Sequence, residues 1–311
     1  MQTLDAPFLA ALQRGALSPL LARVKQDASL DVQLNRGELD LYYRGARLLS
    51  VSRRGEAFVL AVQKRYVLEH ASQLGESVTV RTEAECLAWM VRLPLLKDSI
   101  DLVLGWGERE REALQLLVRE NNTLVAGRAS DYWVVAREYG TPAGQFDALA
   151  LHWPAEGGKR RSEHPLGLAL IEARFGEDGL DNAATGLAAH VRSARSLVPR
   201  LPEMAAHAWE AFRQKHTLGL IHHEGTPGAE HQLGGRLEVL LLLVDHDPGS
   251  PRLLEELRRV ETGGELDVYL AQASNFGYAL HRSRLVPLED FRAQLEGARG
   301  KGRAARREAQ A

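Results

Sequence analysis

Apolar and polar positions along the chain change period several times, and each change marks an element. Residues 4 to 26, "LDAPFLAALQRGALSPLLARVKQ", carry a helical pattern interrupted near Gly15 and Pro19. The runs "LDVQLN", "ELDLYYRG", "RLLSVS" and "AFVLAVQ" follow at short spacing, separated by turn-forming links, which predicts an antiparallel meander. From about Ser77 the period becomes helical through "EAECLAWMVRLPLLKDSIDLVLGW" and "EREREALQLLVREN".

Three strand candidates come next: "DYWVVARE" (131 to 138), "QFDALALHW" (145 to 153) and "LGLALIEARF" (166 to 175). Their links, "YGTPAG" and "PAEGGKRRSEHP", are turn-like in composition. An Ala-rich helix, "NAATGLAAHVRSAR", a helix near 203 to 215 and a Gly/His loop lead to "RLEVLLLLVDHD", whose Val and Leu content suits a central strand buried on both faces. A helix, "PRLLEELRRVE", precedes a last strand pair, "LDVYLAQAS" and "GYALHRSRLV". The order predicts an α/β fold with a mixed central sheet flanked by helices, behind an N-terminal antiparallel β-rich module. The expected boundaries are 1–76 for the β-rich module, 77–295 for the α/β domain and 296–311 for a basic flexible tail.

A length of 311 residues allows about two domains of about 150 residues each. Hydrophobic residues at 45% and charged residues at 26% exclude disordered and fibrous classes. The net charge of −2 supplies no global field for nucleic acid, so any such contact rests on local cations. Candidates for a phosphate backbone are Arg44 and Arg47, which stand beside Tyr42 and Tyr43 in the meander, and the loop residues Lys159, Arg160 and Arg161. Exposed strand faces also look like this. The single cysteine, Cys86, excludes an internal disulfide framework and suits a packed thiol in a reducing compartment. The first residues hold neither a signal-peptide core nor a membrane span, so a cytoplasmic location is expected. "NNT" at Asn121 matches the glycosylation pattern but has no secretory context.

The candidate chemistry lies in "LALIEARFG", where alternation puts Glu172 and Arg174 on one face of an otherwise apolar strand. Asp147 sits early in the preceding strand. If the two strands pair as a hairpin, Asp147 and Glu172 stand side by side at one sheet end with Arg174 one pleat away. Two carboxylates that close need a counter-ion, and a hard cation such as Mg²⁺ takes oxygen ligands of this kind. A metal-held water and a nearby cation suit phosphodiester hydrolysis. In the helix before these strands, Glu120 occupies the i+7 place on the face of Ala113, Leu116 and Leu117, where a carboxylate is costly unless paired, wet or metal-bound. The plainer reading is a helix-end Glu reaching solvent. Glu138, in "AREYG", competes as the third carboxylate.

The pattern resembles the PD-(D/E)XK nuclease superfamily, with Glu120 in "LVREN", Asp147 in "QFDALAL" and Glu172-Ala-Arg174 in "LIEARFG", across roughly residues 105 to 250. The resemblance implies an αβββαβ core and Mg²⁺ or Mn²⁺ held by Asp147, Glu172 and Glu120. It further implies Arg174 as the stabiliser of phosphoryl charge and DNA as substrate. Two departures stand out: Phe146 replaces the motif proline, and Arg174 replaces the motif lysine. Guanidinium stays protonated, so Arg174 can stabilise charge but cannot act as a base. Lys159 is a candidate substitute cation. The alternative is a catalytically inactive nuclease-fold module that binds nucleic acid or a protein partner, with Glu172 and Arg174 as a structural ion pair.

Other constellations are weaker. "VDHD" places Asp245, His246 and Asp247 at the end of a buried strand, where α/β folds bind ligands, although a polar strand end turning into Pro248 reads more simply. His222, His223, Glu224 and His231 lack the helical spacing of a zinc motif and read as a solvated loop. A zinc hydrolase built on His222, His223 and Asp245 is a third reading. His190 and Asp181 follow the third strand and are candidates to line the same cleft as Glu172. No GxxxxGK[ST], strand-borne GxGxxG or GxSxG pattern occurs in the sequence.

Overall fold

A computed structural model describes residues 3–67, 77–105, 109–123, 130–154, 166–177, 180, 186–222, 233–273 and 277–297. The chain forms two compact units, one from Met1–Ala129, Trp133–Arg137 and Ala206–Ala229, the other from Ser130–Tyr132, Glu138–Ala205 and Glu230–Ala311.

In the first unit, α1 (Ala6–Arg14) begins at Asp5, whose carboxylate accepts the Phe8 N–H at 2.9 Å, and α2 (Ser18–Gln26) follows the break at Gly15. The strands β1 (Leu30–Asn35), β2 (Glu38–Tyr43), β3 (Ala46–Arg54), β4 (Ala57–Val62) and β5 (Ser77–Val80) form an antiparallel five-stranded sheet in chain order. The expected meander is present. Its first two turns hold Arg36-Gly37 and Arg44-Gly45 with positive φ at both residues, the twist-matched hairpin form. Helical structure starts later than the sequence pattern suggests. Ser77–Val80 pairs with β4, and α3 (Glu83–Met90) begins only after the reciprocal capping box of Thr82 and Glu85. α4 (Leu93–Leu104) and α5 (Arg109–Asn122) complete this part, and Cys86 is buried as expected.

The second sheet has six strands: β6 (Tyr132–Thr141), β7 (Gly144–His152), β8 (Leu166–Phe175), β9 (Leu233–Val244), β10 (Leu266–Gln272) and β11 (Val286–Pro287). Its order is β11-β10-β9-β8-β7-β6, with β7 antiparallel to β8, β8 and β10 parallel to β9, and β11 antiparallel to β10. It is the mixed sheet the element order predicts. The "LLLLV" run supplies the interior strand β9, where Leu237 and 239–243 are almost wholly buried. Four helices accompany it in sequence: α6 (Leu187–Ser196), α7 (Leu201–Thr217), α8 (Pro251–Arg259) and α9 over 288–297. Residues of β6 and α7 are shared between the two units.

The last predicted strand shrinks to two residues. In "GYALHRSRLV" the Leu280 carbonyl accepts from the Asp131 N–H at 3.0 Å and the Ser130 hydroxyl at 2.8 Å, and Arg282 donates its N–H to the Asp131 carboxylate at 2.7 Å. Backbone groups committed to Ser130 and Asp131 cannot ladder with β10, so only Val286–Pro287 pairs. The basic tail, 298–311, lies outside the described residues. Among the described residues no helix is long and apolar enough to cross a membrane.

Candidate active site

The β7–β8 register decides where the acidic residues meet. Ala148 pairs with Ile171 and Leu149 with Leu170, so one step further Asp147 stands opposite Glu172 on the same face. The Asp147 carboxylate accepts the Ala173 N–H at 2.7 Å, a side chain taking over the ladder where regular pairing ends. In return the Asp147 backbone N–H hydrogen-bonds the Glu172 carboxylate. The hairpin expected from sequence therefore does bring these two residues together.

Glu172 is 2% exposed. Its Oε1 lies 2.5 Å from Arg174 Nη1, which also donates to the Ala173 carbonyl at 2.9 Å. Its Oε2 lies 3.1 Å from His190 Nδ1 on α6, yet receives no well-directed hydrogen bond among the described residues. Phe146 packs the edge of the His190 ring at 5.7 Å and 73°. Phe146 thus helps to hold the imidazole beside Glu172. Burial and the adjacent Asp147 charge push the Glu172 carboxyl up to about 8, against the pull of Arg174. The end of this hairpin is an oxygen-rich, half-compensated site that a proton or a cation relieves.

Glu120 is half-buried on α5 and belongs to the first unit, whereas Asp147, Glu172, Arg174 and His190 belong to the second. Glu138 is exposed on β6, the neighbour of β7, with φ +47°. Arg44 spends its guanidinium inside the first unit, 2.8 Å from Asp101, 2.5 Å from Glu112 and 2.8 Å from the Gly105 carbonyl. Arg47 lies 3.6 Å from the buried Asp40. Lys159, Arg160, Arg161, Asp181, His223, Glu224 and His231 lie outside the described residues. Within "VDHD", Asp247 accepts the Gly249 N–H at 2.8 Å and Ser250 caps α8, so this stretch is a strand end turning into a helix. Asn121 is buried and donates to the Leu117 carbonyl, which removes it as a glycosylation site. Among the described residues no group of three or more His, Cys, Asp or Glu side chains is arranged to hold a metal ion.

Two buried polar clusters escape a reading of the sequence. In the second unit Glu238 accepts from the Tyr132 hydroxyl at 2.7 Å and lies 3.2 Å from His152 Nδ1, whose ring stacks on Tyr132. Burial alone would raise Glu238, but His152, Tyr132 and Arg282 hold it below the usual range. In the first unit Lys215 is fully buried, donates to Gln33 at 2.8 Å, and shares the cluster with Asp31 and Arg137. The one sequence signal for each is a charged residue inside an apolar-faced element. No protein-family model, curated protein or solved structure matches this chain.

Proposed function

We propose that the chain is a divalent-cation-dependent phosphodiester hydrolase of the PD-(D/E)XK type acting on DNA, with Asp147 and Glu172 as its acidic pair. The observation that carries this reading is the register that sets Asp147 opposite Glu172 at the end of the β7–β8 hairpin, with Arg174 on the Glu172 carboxylate. The element order α5-β6-β7-β8-α6-α7-β9 supports it as the αβββαβ succession with one helix added before the last strand.

The donor set suits a hard cation. Both carboxylates offer oxygen, and Glu172 Oε2 has no well-directed donor among the described residues. A bound Mg²⁺ or Mn²⁺ would lower the pKa of a coordinated water and offset charge on the phosphoryl oxygens. Asp147, its carboxylate fixed by the Ala173 N–H, and Glu172 would hold the ion. Arg174, a permanent cation, would stabilise developing phosphoryl charge. The motif lysine's proton-handling role would fall to His190, an imidazole 3.1 Å from Glu172. The Lys159–Arg161 loop is the proposed backbone contact, since Arg44 and Arg47 already face Asp101, Glu112 and Asp40.

One observation favours the second reading, a non-catalytic nuclease-fold module: Glu172 is already held by Arg174 at 2.5 Å with His190 beside it, a closed ion pair. Cleavage of plasmid and single-stranded DNA with Mg²⁺ or Mn²⁺ separates the two. Hydrolysis by wild type that is lost in Asp147→Ala and Glu172→Ala, and kept or raised in Arg174→Lys, is the expected result. Wild type and Arg174→Lys both inert would leave the binding module.

A further inference from the structure

The acidic pair at the end of the β7–β8 hairpin carries an arginine of its own. Arg174 Nη1 lies 2.5 Å from Glu172 Oε1 and donates to the Ala173 carbonyl at 2.9 Å. The other oxygen, Oε2, faces His190 Nδ1 at 3.1 Å. Both oxygens of Glu172 are thus covered by this chain's own groups. The Glu172 side chain is 3% exposed and that of Arg174 15%, so the arginine, nearer the strand end, is the partner with a way out to solvent.

Formal charge says when it would leave. With both acids ionised, Asp147, Glu172 and Arg174 together hold a single negative charge, to which His190 adds only when protonated. A divalent cation added alone reverses that sign, and a phosphodiester added alone doubles it. Added together, they leave the three side chains balanced. Proximity makes the same demand: with a cation about 2.1 Å from Glu172 Oε1, a guanidinium on the same oxygen stands within about 5 Å of a double positive charge. Cation and guanidinium share that oxygen only against this repulsion, and the guanidinium has a flexible stem to carry it elsewhere.

We propose that the Glu172–Arg174 pair is a latch on the cation site: Arg174 holds Glu172 closed at rest, leaves it when a divalent cation enters, and then takes the phosphodiester oxygens of the DNA strand. This rests on the reading of the hairpin as a divalent-cation nuclease site. The planar guanidinium suits both stations, since its fork of N–H donors matches a carboxylate and a phosphodiester alike. Cation and strand therefore bind with positive coupling, each lowering the cost of the other. At rest the nearly buried Glu172 keeps a counter-charge.

Phenylglyoxal modification of arginine in the full chain tests this, read by mass spectrometry at the peptide carrying Arg174. The assay is run at pH 8.5, where the Glu172 carboxyl is mostly ionised. In EDTA Arg174 should react slowly. Saturating Mn²⁺ should raise its rate at least about fivefold, the change expected when a pair closed about nine-tenths of the time is opened. A short phosphorothioate duplex added with the Mn²⁺ should slow it again. Arg36 and Arg54, exposed near the hairpin turns of the first sheet, are internal references whose rates should not move with Mn²⁺. Glu172→Gln, shown to be folded by circular dichroism, should react fast with and without Mn²⁺. Mn²⁺ uptake by calorimetry without a change in the Arg174 rate, a duplex that gives Arg174 no protection, or slow reaction in Glu172→Gln would each overturn the latch and leave the cation site standing. No Mn²⁺ uptake at all would remove the latch together with the reading on which it rests.

Discussion

Replacing Glu172 with glutamine should change how stability depends on pH more than it changes stability itself. The Glu172 carboxyl sits near 8 in the folded protein against an ordinary value of 4.5, with burial the larger cause and the Asp147 charge the next. Between those values the folded state holds a proton that the unfolded state has lost. The stabilisation is therefore complete below 4.5 and is lost as pH rises through 8. At about 1.4 kcal/mol per unit the full window is worth at most about 5 kcal/mol, and about 2–5 kcal/mol is expected once solvent relaxation is allowed for. The amide of the Glu172→Gln variant mimics the protonated carboxyl at every pH. Urea or thermal denaturation in EDTA should give wild type and Glu172→Gln similar stability at pH 4.5 and a gap that opens by about 2–5 kcal/mol towards pH 8.5, the variant being the more stable. Taking the difference between the two proteins cancels the half-buried histidines, His246 and His281, whose values desolvation lowers. A gap that stays flat from pH 4.5 to 8.5 would refute the argument that Glu172 is held against Asp147 in an apolar setting.

Lys215 gives the opposite slope. Burial pushes its ammonium down to about 8 from an ordinary 10.5, so wild type should gain stability between those values, and Lys215→Met should lose that rise and be about 1–3 kcal/mol more stable at pH 7 by urea denaturation. Gly45→Ala should cost more than about 3 kcal/mol. Gly45 has φ +74°, and a Cβ there would lie 2.2 Å from the Arg111 backbone, so a drop of only a few tenths of a kcal/mol in chemical denaturation would contradict that packing. Tyr132→Phe should cost about 1–3 kcal/mol by leaving the buried Glu238 without its 2.7 Å donor, and a neutral effect would show that water replaces the hydroxyl.

Much of the fold was legible because local chemistry and tertiary packing agree. The N-terminal meander announces itself through alternation and two Arg-Gly turns, and β9 through an apolar run that only an interior strand tolerates. The acidic pair was legible for the same reason: period-two alternation and one hairpin suffice to set Asp147 opposite Glu172. Other features depend on partners distant in sequence. Ser77–Val80 is a strand because β4 offers it an edge, and "GYALHRSRLV" stays irregular because Ser130 and Asp131 take its backbone bonds. Arg44 looks like a phosphate ligand in a basic, aromatic stretch. Its guanidinium is consumed by Asp101 and Glu112, residues 57 and 68 positions away that no local pattern connects to it. The clusters around Glu238 and Lys215 are tertiary in the same sense, each tied by a hydrogen bond between residues more than 100 positions apart.

Mn²⁺ binding by calorimetry tests the proposed function most directly, comparing wild type with Asp147→Asn and Glu172→Gln. Uptake of Mn²⁺ by wild type, lost in both variants while both remain folded, is the predicted result. No uptake by wild type, or uptake indifferent to both substitutions, would contradict a cation site at the β7–β8 hairpin and leave Glu172 and Arg174 as a structural pair.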